Sequence, residues 1–381
     1  MPCKRAQLRV AALLALWNGL CQTTLPIVMA KSKSDQAEPA ADSSAKKVNL
    51  RELAEHLGLS VATVSLVMNR SPAAKSIPQP TQQRVRAAAR ELNYRPNAMA
   101  RMLRQQRSFT IGVIVPEISE GYAALVLSGI EDHLLQEGYF YLVVSHRHKR
   151  DLIEEYPGLL QQRGVEGLIF VDTAYGPSFS VPAVAISGHK QVEGVTNITL
   201  NHTRAAHLAL EYLAKEGHKK IAFIKGQAFS SDTEVRWKAV RAAAQSLGIA
   251  IDEKLVVQLD SELPTSQPGY EAGRRLLGSM KPFTALFSFN DISAIGAIRA
   301  LREAGRRVPE DVSVVGFDDI QSAAYQNPSL TTIRQPLREM GVRAAEMLLK
   351  RINSGPKTQY PRNIVMEPEL AKRESSAKAS S

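Results

Sequence analysis

Histidine, cysteine, serine and acidic side chains perform most catalysis and metal binding in proteins, and their spacing in this 381-residue sequence fits neither role. There is no GxxxxGK(S/T) phosphate loop, no HExxH pair and no glycine-flanked nucleophilic serine. The eight histidines are scattered, and His146 and His148 lie in a basic stretch, SHRHKR, that predicts a solvent-exposed loop. Cys3 and Cys21 alone cannot build a disulfide framework. We therefore expect no catalytic residue, metal or cofactor. The function that remains for this sequence is non-catalytic binding.

Positive charge is concentrated in one short segment. The whole chain has a formal net charge of +11, and residues 46–110 hold 12 basic against 3 acidic residues, a net charge of +9. A local excess of this kind is typical of a surface that binds a polyanion. A merely solvated surface is the alternative explanation of the same charges.

The first 45 residues resemble a secretory leader. Lys4, Arg5 and Arg9 precede the apolar run VAALLALW, and VMA resembles a cleavage site. The apolar run is too short to span a bilayer, so we expect no membrane segment. The competing interpretation is that translation begins at Met29 and yields a polar, disordered tail. We favour a start at Met29, because the basic segment that follows the tail is predicted below to bind DNA, which an exported protein would not contact.

Three short amphipathic helices are predicted next. Asn49 is a candidate N-cap for the first helix, NLRELAEHL, and Gly58 ends it. Ser60 caps the second helix, VATVSLVMN, and a third begins at Thr81. The tight turn between the first two predicts a helix-turn-helix whose second helix enters the major groove of DNA. An ordinary small helical bundle is the alternative, which the basic charge disfavours.

The remainder of the chain alternates between strand and helix patterns. Predicted strands are IGVIVP, FYLVVS, GLIFV, NITL, IAFI, TALF and SVVGF, and predicted helices are YAALVLSGIEDHLLQEG, HLALEYLAKEG and ISAIGAIRALREAG. These are too many strands for one sheet. They predict two doubly wound α/β lobes of parallel strands, with a ligand cleft at the carboxyl ends of the strands.

The sequence resembles the lactose and purine repressor family (LacI/GalR type). LRELAEHLGLSVATVSLVMN and TQQRVRAAARELNYRPNAMARMLR carry the resemblance in the predicted DNA-binding head, and it continues through nearly all of 48–375. The family implies a ligand-controlled DNA-binding repressor that works as a homodimer on a near-palindromic operator. Its core is similar to periplasmic sugar-binding proteins.

The resemblance assigns DNA contacts in the head. Val61, Ala62 and Leu66 occupy base-reading positions, and the remaining positions of the head that contact DNA are Ser60, Thr63, Ser65, Asn69, Tyr94 and Asn97. Many relatives carry arginine or another hydrogen-bonding side chain where this chain has Leu66, so all three predicted readers are aliphatic. Aliphatic side chains pack on the thymine methyl group, which predicts A·T pairs in the operator.

A marginal two-turn helix, NAMARMLR, follows the head. It resembles the hinge helix of the family, in which Leu103 would enter the minor groove, Ala100 would face the partner helix and Arg104 would lie near the DNA backbone. The alternative is a basic interdomain linker.

The resemblance also assigns an effector site between the two lobes. Its residues are Glu120, Gly121, Tyr122, Arg236, Phe289, Asn290, Asp318, Gln335 and Leu337. Arginine, amide and carboxylate groups can hydrogen-bond the hydroxyls of a sugar or nucleoside. Two features depart from the family: Glu120-Gly121 replaces Asn-Pro, and Asn201-His202 replaces a common Asp-Asn pair. Structural roles are the alternative for two acids: a helix cap for Asp291 and a turn for Asp318.

These expectations define a domain plan and two function classes. The plan is a leader or tail over 1–45, the helix-turn-helix over 46–95, a hinge over 96–110, the effector and dimerisation core over 111–375 and a disordered tail over 376–381. A cytoplasmic transcriptional repressor is the first class. An exported periplasmic solute-binding protein is the second, and the helix-turn-helix disfavours it.

Overall fold

The computed structural model describes most of the chain, namely residues 48–69, 71–94, 107–118, 121–176, 179–188, 190, 192–260, 265–354 and 358–379. The expected leader, the expected hinge residues Asn97, Ala100, Leu103 and Arg104, and the expected effector residue Glu120 lie outside this description. The chain divides into two compact units, Met1–Asn97 and Ala98–Ser381. None of the helices in the described residues combines the length and apolar character needed to cross a bilayer.

The first unit begins with two capped helices, α1 (Leu50–Leu57) and α2 (Val61–Met68). The Asn49 side chain accepts hydrogen bonds from the backbone N–H groups of Arg51 and Glu52, and the Glu52 carboxylate accepts one from the Asn49 N–H at 2.9 Å. This is a complete capping box. Gly58 ends α1 with φ of 64°, in the left-handed region that glycine adopts without strain. The predicted starts and the glycine stop are confirmed.

Helix α3 (Gln79–Glu91) completes the head and begins two residues earlier than expected. A 3₁₀ turn, Pro72–Ser76, occupies the long connection before it. The buried Gln82 amide donates to the carbonyl oxygens of Ala74 and Ile77, each at 2.9 Å, and so fixes this connection to α3. The three helices share one apolar core, with Leu53, Ala54, Val64, Val67, Val85, Ala88 and Ala89 buried.

The second unit holds two six-stranded sheets. The first sheet has the order β11-β5-β4-β3-β1-β2 and contains β1 (Thr110–Val115), β2 (Phe140–Ser145), β3 (Gly167–Val171), β4 (Ala183–Ile186), β5 (Val195–Leu200) and β11 (Asn363–Met366). The second has the order β12-β10-β9-β8-β6-β7 and contains β6 (Ile221–Lys225), β7 (Val256–Gln258), β8 (Ala285–Ser288), β9 (Ser313–Asp318), β10 (Thr331–Arg334) and β12 (Glu369–Ala371). All neighbours are parallel except β10 and β12.

Helices alternate with these strands along the chain. They are α4 (Tyr122–Gln136), α5 (Arg150–Gln162), α6 (His202–Lys215), α7 (Ser231–Ser246), α8 (Gln267–Gly278), α9 (Asp291–Glu303), α10 (Gln321–Tyr325) and α11 (Leu337–Asn353). We call each sheet with its helices a lobe. The predicted two-lobed α/β architecture is confirmed. Helix α6 begins five residues before its predicted start because the Asn201 side chain caps it, accepting from the Arg204 N–H.

The chain passes between the two lobes at three places in the described residues. It leaves the first lobe between β5 and α6, returns between β10 and α11, and leaves again between β11 and β12. The last passage is joined to the first, because the Asn201 amide donates to the Glu367 carboxylate at 3.0 Å and the Asn201 N–H donates to the Met366 carbonyl oxygen. The lobes are therefore held together by adjacent strand ends.

The expected disordered tail over 376–381 is wrong for residues 376–379. Ser376 is buried, and its hydroxyl lies 2.8 Å from the Tyr212 hydroxyl and 2.7 Å from Thr331 Oγ1. The Ala379 N–H donates to the Glu216 carbonyl oxygen at 2.8 Å. Small polar residues resemble a tail in sequence, but here they satisfy buried polar groups of the second lobe.

Helices α4 and α11 approach so closely that glycine is required at the contact. A Cβ atom on Gly129 would lie 1.9 Å from the Arg338 carbonyl oxygen, and one on Gly341 would lie 2.1 Å from the Val126 carbonyl oxygen. Both obstacles are backbone atoms, so a larger residue must separate the helices.

We predict that Gly129→Ala lowers the free energy of unfolding by about 1–3 kcal/mol, because the added methyl group overpacks this contact. Gly158→Ala is the matched control: Gly158 lies in α5, and a Cβ there meets nothing within 4 Å. The control is expected to gain up to about 1 kcal/mol from helix propensity. Urea unfolding followed by circular dichroism measures both changes, and equal effects of the two substitutions would contradict the close contact.

Candidate ligand cleft and nucleic-acid surface

Helix α2 presents the predicted base-reading residues on its outer side. Val61 is 43% exposed, Ala62 is exposed and Leu66 is half-buried. The neighbouring Val64 and Val67 face the core of the head. The outer surface of the helix therefore offers aliphatic groups at the three predicted positions, which can pack against a methyl group but cannot donate a hydrogen bond.

The other residues predicted to contact DNA differ in accessibility. Ser60 is exposed and caps α2, with its hydroxyl 2.8 Å from Thr63 Oγ1. Ser65 is buried, and the Asn69 amide donates to both its carbonyl oxygen and its hydroxyl, at 2.9 and 3.1 Å. Tyr94 packs against the core of the head, and its burial raises the pKa of its phenol. Ser65 therefore stabilises the end of α2 rather than presenting a free hydroxyl.

Basic side chains surround this unit. The described ones are all exposed: Arg51, Lys75, Arg84, Arg86 and Arg90. Exposed arginine and lysine side chains are available to phosphate groups, and such contacts supply affinity without reading sequence.

The second unit contains a cleft at the carboxyl ends of its parallel strands. Its lining includes Tyr122, His148 and Asp172 from the first lobe, and Gln227, Phe229, Asp232, Arg236, Phe289, Asn290 and Asp318 from the second. Five residues expected in the effector site, Tyr122, Arg236, Phe289, Asn290 and Asp318, thus line one cavity. This is the position at which doubly wound sheets bind ligands.

Arg236 is the central cation of the cleft. Its Nη2 donates to Asp232 at 2.9 Å, and its Nη1 donates to the Phe289 carbonyl oxygen. The guanidinium lies between two aromatic rings, 4.3 Å from the centroid of Phe289 and 3.7 Å from that of Phe317. Only 4% of Arg236 is exposed, and its Nε has no hydrogen-bond partner among the residues that the structure describes.

His202 joins the same group of side chains. Its Nε2 lies 3.3 Å from the second oxygen of Asp232, and its ring is stacked against Phe317 at 6.3 Å. Because Asn201 caps α6 and contacts Glu367, the Asn201-His202 pair lies where the chain first leaves the first lobe. Asn201 thus takes part in the connection between the lobes, and His202 is a neighbour of Asp232.

Asp318 ends β9 in an unusual backbone conformation. Its φ is 114°, a region that costs a non-glycine residue on the order of 1–3 kcal/mol. The Gln335 amide donates to its carboxyl group at 2.6 Å, so Gln335 positions Asp318 instead of lining the cleft. Burial raises the pKa of Asp318 to about 7, although the nearby charge of Arg236 favours the ionised form.

Asn290, and not Asp291, caps helix α9. Asn290 is the N-cap of α9, accepting from the Ser293 N–H at 2.9 Å. Asp291 is fully buried, and it accepts from the Ile320 N–H and the Thr332 hydroxyl. Asp291 therefore connects α9 to the loop after β9 and to β10, and does not cap the helix.

Two further residues expected in the effector site are not among the described residues that line the cavity. Gly121 precedes α4 with φ of 104°, and a Cβ there would lie 3.2 Å from Ile320. Leu337 is buried in the apolar core of the first lobe and is not part of the described cleft lining. Its position at the start of α11 makes it a core residue.

Asp172, which sequence reasoning missed, connects the two lobes. It directly follows β3, and it accepts from the hydroxyls of Ser231 at 2.9 Å and Ser230 at 3.3 Å, at the start of α7 in the other lobe. Ser231 Oγ also lies 2.5 Å from the Ser187 carbonyl oxygen. The sequence signal was a carboxylate immediately after the predicted strand GLIFV.

Backbone strain is concentrated around this cleft. Positive φ angles occur at His148 (58°), Asp172 (38°), Ser187 (55°) and Asp318 (114°), each at or just beyond the end of a parallel strand. Strained backbone of this kind is typical of binding sites, where the surrounding structure fixes a side-chain direction. Within the described residues, no cluster of three His, Cys, Asp or Glu side chains could hold a metal ion.

Comparison with known proteins finds two matching family models in the chain. Residues 49–97 match the family model of bacterial regulatory proteins, lacI family, and residues 210–376 match the periplasmic binding protein-like domain. The HTH-type transcriptional repressor PurR of Yersinia pestis bv. Antiqua (strain Antiqua) is 33% identical over 337 residues, which cover 86% of this chain and 96% of PurR.

Two solved structures are similar over 87% of this chain and 100% of their own. One is the lac repressor dimer bound to operator and the anti-inducer ONPF, with a TM-score of 0.74 and 26% identity. The other is the transcriptional regulator CelR in complex with cellobiose, with a TM-score of 0.63 and 28% identity.

We predict that Asp172→Asn removes a pH dependence from the stability of the second unit. Burial, and then the charge of Asp232, raise the pKa of Asp172 from 3.8 to about 7. The folded state therefore binds more protons than the unfolded state between these values, and the stability present at low pH is lost as pH rises through 7. The free energy of unfolding of the variant minus that of the natural protein is expected to rise by on the order of 1–3 kcal/mol from pH 5 to pH 8.

Urea unfolding at the two pH values measures this difference. Asp260→Asn is the control, because Asp260 is an exposed carboxylate paired with Arg275 outside the cleft. A difference between Asp172→Asn and the natural protein that stays constant from pH 5 to pH 8 would show that Asp172 does not titrate in this range.

Proposed function

The chain belongs to the lacI family of bacterial regulatory proteins, and on this basis we propose that it is a transcriptional repressor whose operator affinity is controlled by a small molecule. The family resemblance and the helix-turn-helix plus periplasmic-binding-protein-like fold are confirmed. The observation that carries the proposal is the combination in one chain of a helix-turn-helix head and a two-lobed ligand cleft. An exported solute-binding protein would need only the two-lobed ligand cleft.

The head supports DNA binding through charge and shape. Helix α2 follows a capped first helix and a glycine turn, as a recognition helix does. The exposed basic side chains of this unit suit phosphate contacts, and the aliphatic surface of Val61, Ala62 and Leu66 suits thymine methyl groups. We infer an operator with A·T pairs opposite Leu66.

The cleft suits a polar, sugar-sized or nucleoside-like effector. Arg236, Asn290 and Asp318 supply hydrogen-bonding groups, while Phe229 and Tyr122 supply aromatic surface. The transcriptional regulator CelR, which is similar over 87% of this chain, was solved in complex with cellobiose. The contacts of Asp172 with Ser230 and Ser231 join the lobes across the cleft, so ligand can bias lobe closure by changing them.

For effector binding to change operator affinity, closure of the lobes must change how the two heads of a dimer are placed relative to each other. We propose a homodimer on a near-palindromic operator, with residues 96–110 as the hinge that couples each head to its core. Allosteric coupling of about 1–3 kcal/mol would change operator occupancy severalfold or more. This role places the protein with the chromosome in the cytoplasm and requires no catalysis.

The direct test is an electrophoretic mobility shift with the promoter region of the protein's own gene at moderate salt. We expect at least 100-fold tighter binding than to scrambled duplex, because specific binding typically exceeds non-specific binding by several orders of magnitude. A panel of sugars and nucleosides should shift this affinity. Equal affinity for both duplexes under every condition tried would refute the proposal.

A second prediction concerns base readout. Leu66→Arg should change the preferred base pair opposite this residue from A·T to G·C, since arginine donates to guanine O6 and N7. Selection from a randomised operator library measures the preference. Val64→Ala, a substitution in the buried core of the head, serves as the control and should weaken binding without changing the selected base. Guanine contacts selected by the natural protein at this position would contradict the assignment.

A further inference from the structure

Arg107 marks the place where the chain reaches the first lobe. It lies just before β1, and it is the first residue after Tyr94 that the structure describes. We propose that Arg107 is a positioning residue, which ties the proposed hinge to the first lobe and so limits the spacing of operator half-sites that a dimer accepts. This inference rests on the proposed function, because it needs two heads bound to one operator.

All three nitrogen atoms of the Arg107 guanidinium donate hydrogen bonds within the first lobe. Nε and Nη2 donate to one carboxylate oxygen of Glu166, at 3.1 and 2.7 Å. Nη1 donates to the Asn353 side-chain oxygen at 3.0 Å, and Nη2 also donates to the Tyr139 hydroxyl. Because the guanidinium is a rigid plane, donation from all three nitrogens fixes both its position and its orientation.

The Glu166 carboxylate also holds the backbone that follows Arg107. Its other oxygen accepts from the Phe109 N–H at 2.8 Å. Phe109 has a φ of 51°, a region that bulky residues rarely adopt. Its ring packs edge-on against Tyr139 at 5.5 Å and lies 4.8 Å from the Arg107 guanidinium carbon. Strained backbone persists only where surrounding contacts stabilise it, so these contacts define the path of the chain from Arg107 into β1.

The ionisation of Arg107 and Glu166 agrees with a charged pair. Burial raises the pKa of Glu166, but the hydrogen bonds from Arg107 and from the Phe109 N–H outweigh burial, and the pKa falls below its usual value. The hydrogen bond to Glu166 raises the pKa of Arg107. Both groups are therefore charged at neutral pH, and their hydrogen bonds are of the stronger, charge-assisted kind.

Asn353 connects this site to the effector cleft. It is the last residue of α11, a helix of 17 residues that begins at Leu337. A helix of that length spans about 25 Å. Just before its other end, the Gln335 amide donates to Asp318, which lines the cleft. One continuous helix therefore runs from the support of a cleft carboxyl group to a residue that accepts from Arg107.

Loss of the ion pair would lengthen the tether between the head and the core. The Phe109 carbonyl oxygen accepts from the Phe140 N–H at 2.8 Å, so Phe109 would stay joined to β2 while Arg107 and Ser108 were released. Two residues extend by at most about 7 Å. One inserted base pair separates two half-sites by about 3.4 Å and rotates them by about 35°. The released length is therefore sufficient to absorb such an insertion.

Mobility shifts with the full-length protein test this positioning role. The DNA pair is the operator selected from the randomised library and the same operator with one base pair inserted at its centre. We expect the insertion to weaken binding of the natural protein at least about 10-fold, because the half-sites then depart from the spacing of the heads. Arg107→Ala and Glu166→Gln should each reduce that factor at least about threefold, since a longer tether tolerates more spacings.

Glu166→Gln separates positioning from direct contact with DNA, because it keeps the basic charge of Arg107 and removes only the charge of its partner. A phosphate contact by Arg107 would make Arg107→Ala weaken both operators equally and would leave Glu166→Gln without effect. That result would overturn the inference. Arg150→Ala is the matched control, because it removes an exposed arginine of the same lobe that pairs with Glu154, and it should keep the natural factor.

Hydrogen exchange of the Phe109 amide gives a readout that does not depend on DNA. Arg107→Ala should exchange this amide at least about fivefold faster than the natural protein, while Arg150→Ala should not. An unchanged exchange rate in Arg107→Ala would contradict the contact that the inference requires. Thermal unfolding checks that each variant is folded, and if one of Arg107→Ala and Glu166→Gln does not fold, the operator comparison with the other decides.

These measurements keep the inference and the proposed function distinguishable. If the natural protein binds the selected operator and both variants keep its spacing factor, the positioning role is rejected and the proposed function stands. If the natural protein selects no operator, the proposed function fails, and faster exchange at Phe109 in Arg107→Ala would then show a purely structural contact.

Discussion

The structure depends on the buried guanidinium of Arg236. Four acidic side chains of the described residues line the cleft, and carboxylates taken out of water are stable only when they are protonated, hydrogen-bonded or paired with a cation. Arg236 pairs with Asp232, lies between Phe289 and Phe317, and lowers the pKa of Asp318 against the effect of burial. One side chain thus connects the charge balance of the cavity to the aromatic core beneath it.

Two of the acidic residues that line the cleft also have strained backbones. Asp318 and Asp172 adopt positive φ angles at or just after the ends of their strands, and packed sheets supply the stabilisation that tolerates such strain. Asp172 then contacts Ser231 across the cleft. Asp172 therefore contributes both to the polarity of the cavity and to the contact between the lobes.

Local patterns were sufficient to predict much of this architecture. Asn49, Gly58 and Ser60 are strong helix boundary signals that depend on neighbouring residues alone, and the predicted strands β1, β3, β6, β8 and β9 are mostly apolar runs. The four-residue strand β4, at the centre of the first sheet, was not predicted. Strands β7 and β12 have only three residues each, and β10 and β11 include polar side chains, so pairing with distant partners defines them. The importance of Asp172, and the core position of Leu337, likewise arise from contacts between segments far apart in sequence.

The final strands have a consequence for biosynthesis. Strand β11 completes the first sheet beside β5, and β12 completes the second beside β10. Both lie in the last 20 residues of the chain, and Ser375 and Ser376 then bury their hydroxyls in the second lobe. During translation, neither lobe can form its full sheet until these two strands, which follow all the others in the chain, have been synthesised, although the head can fold as soon as it emerges. Synthesis of these late strands is therefore the step that both lobes share in their maturation.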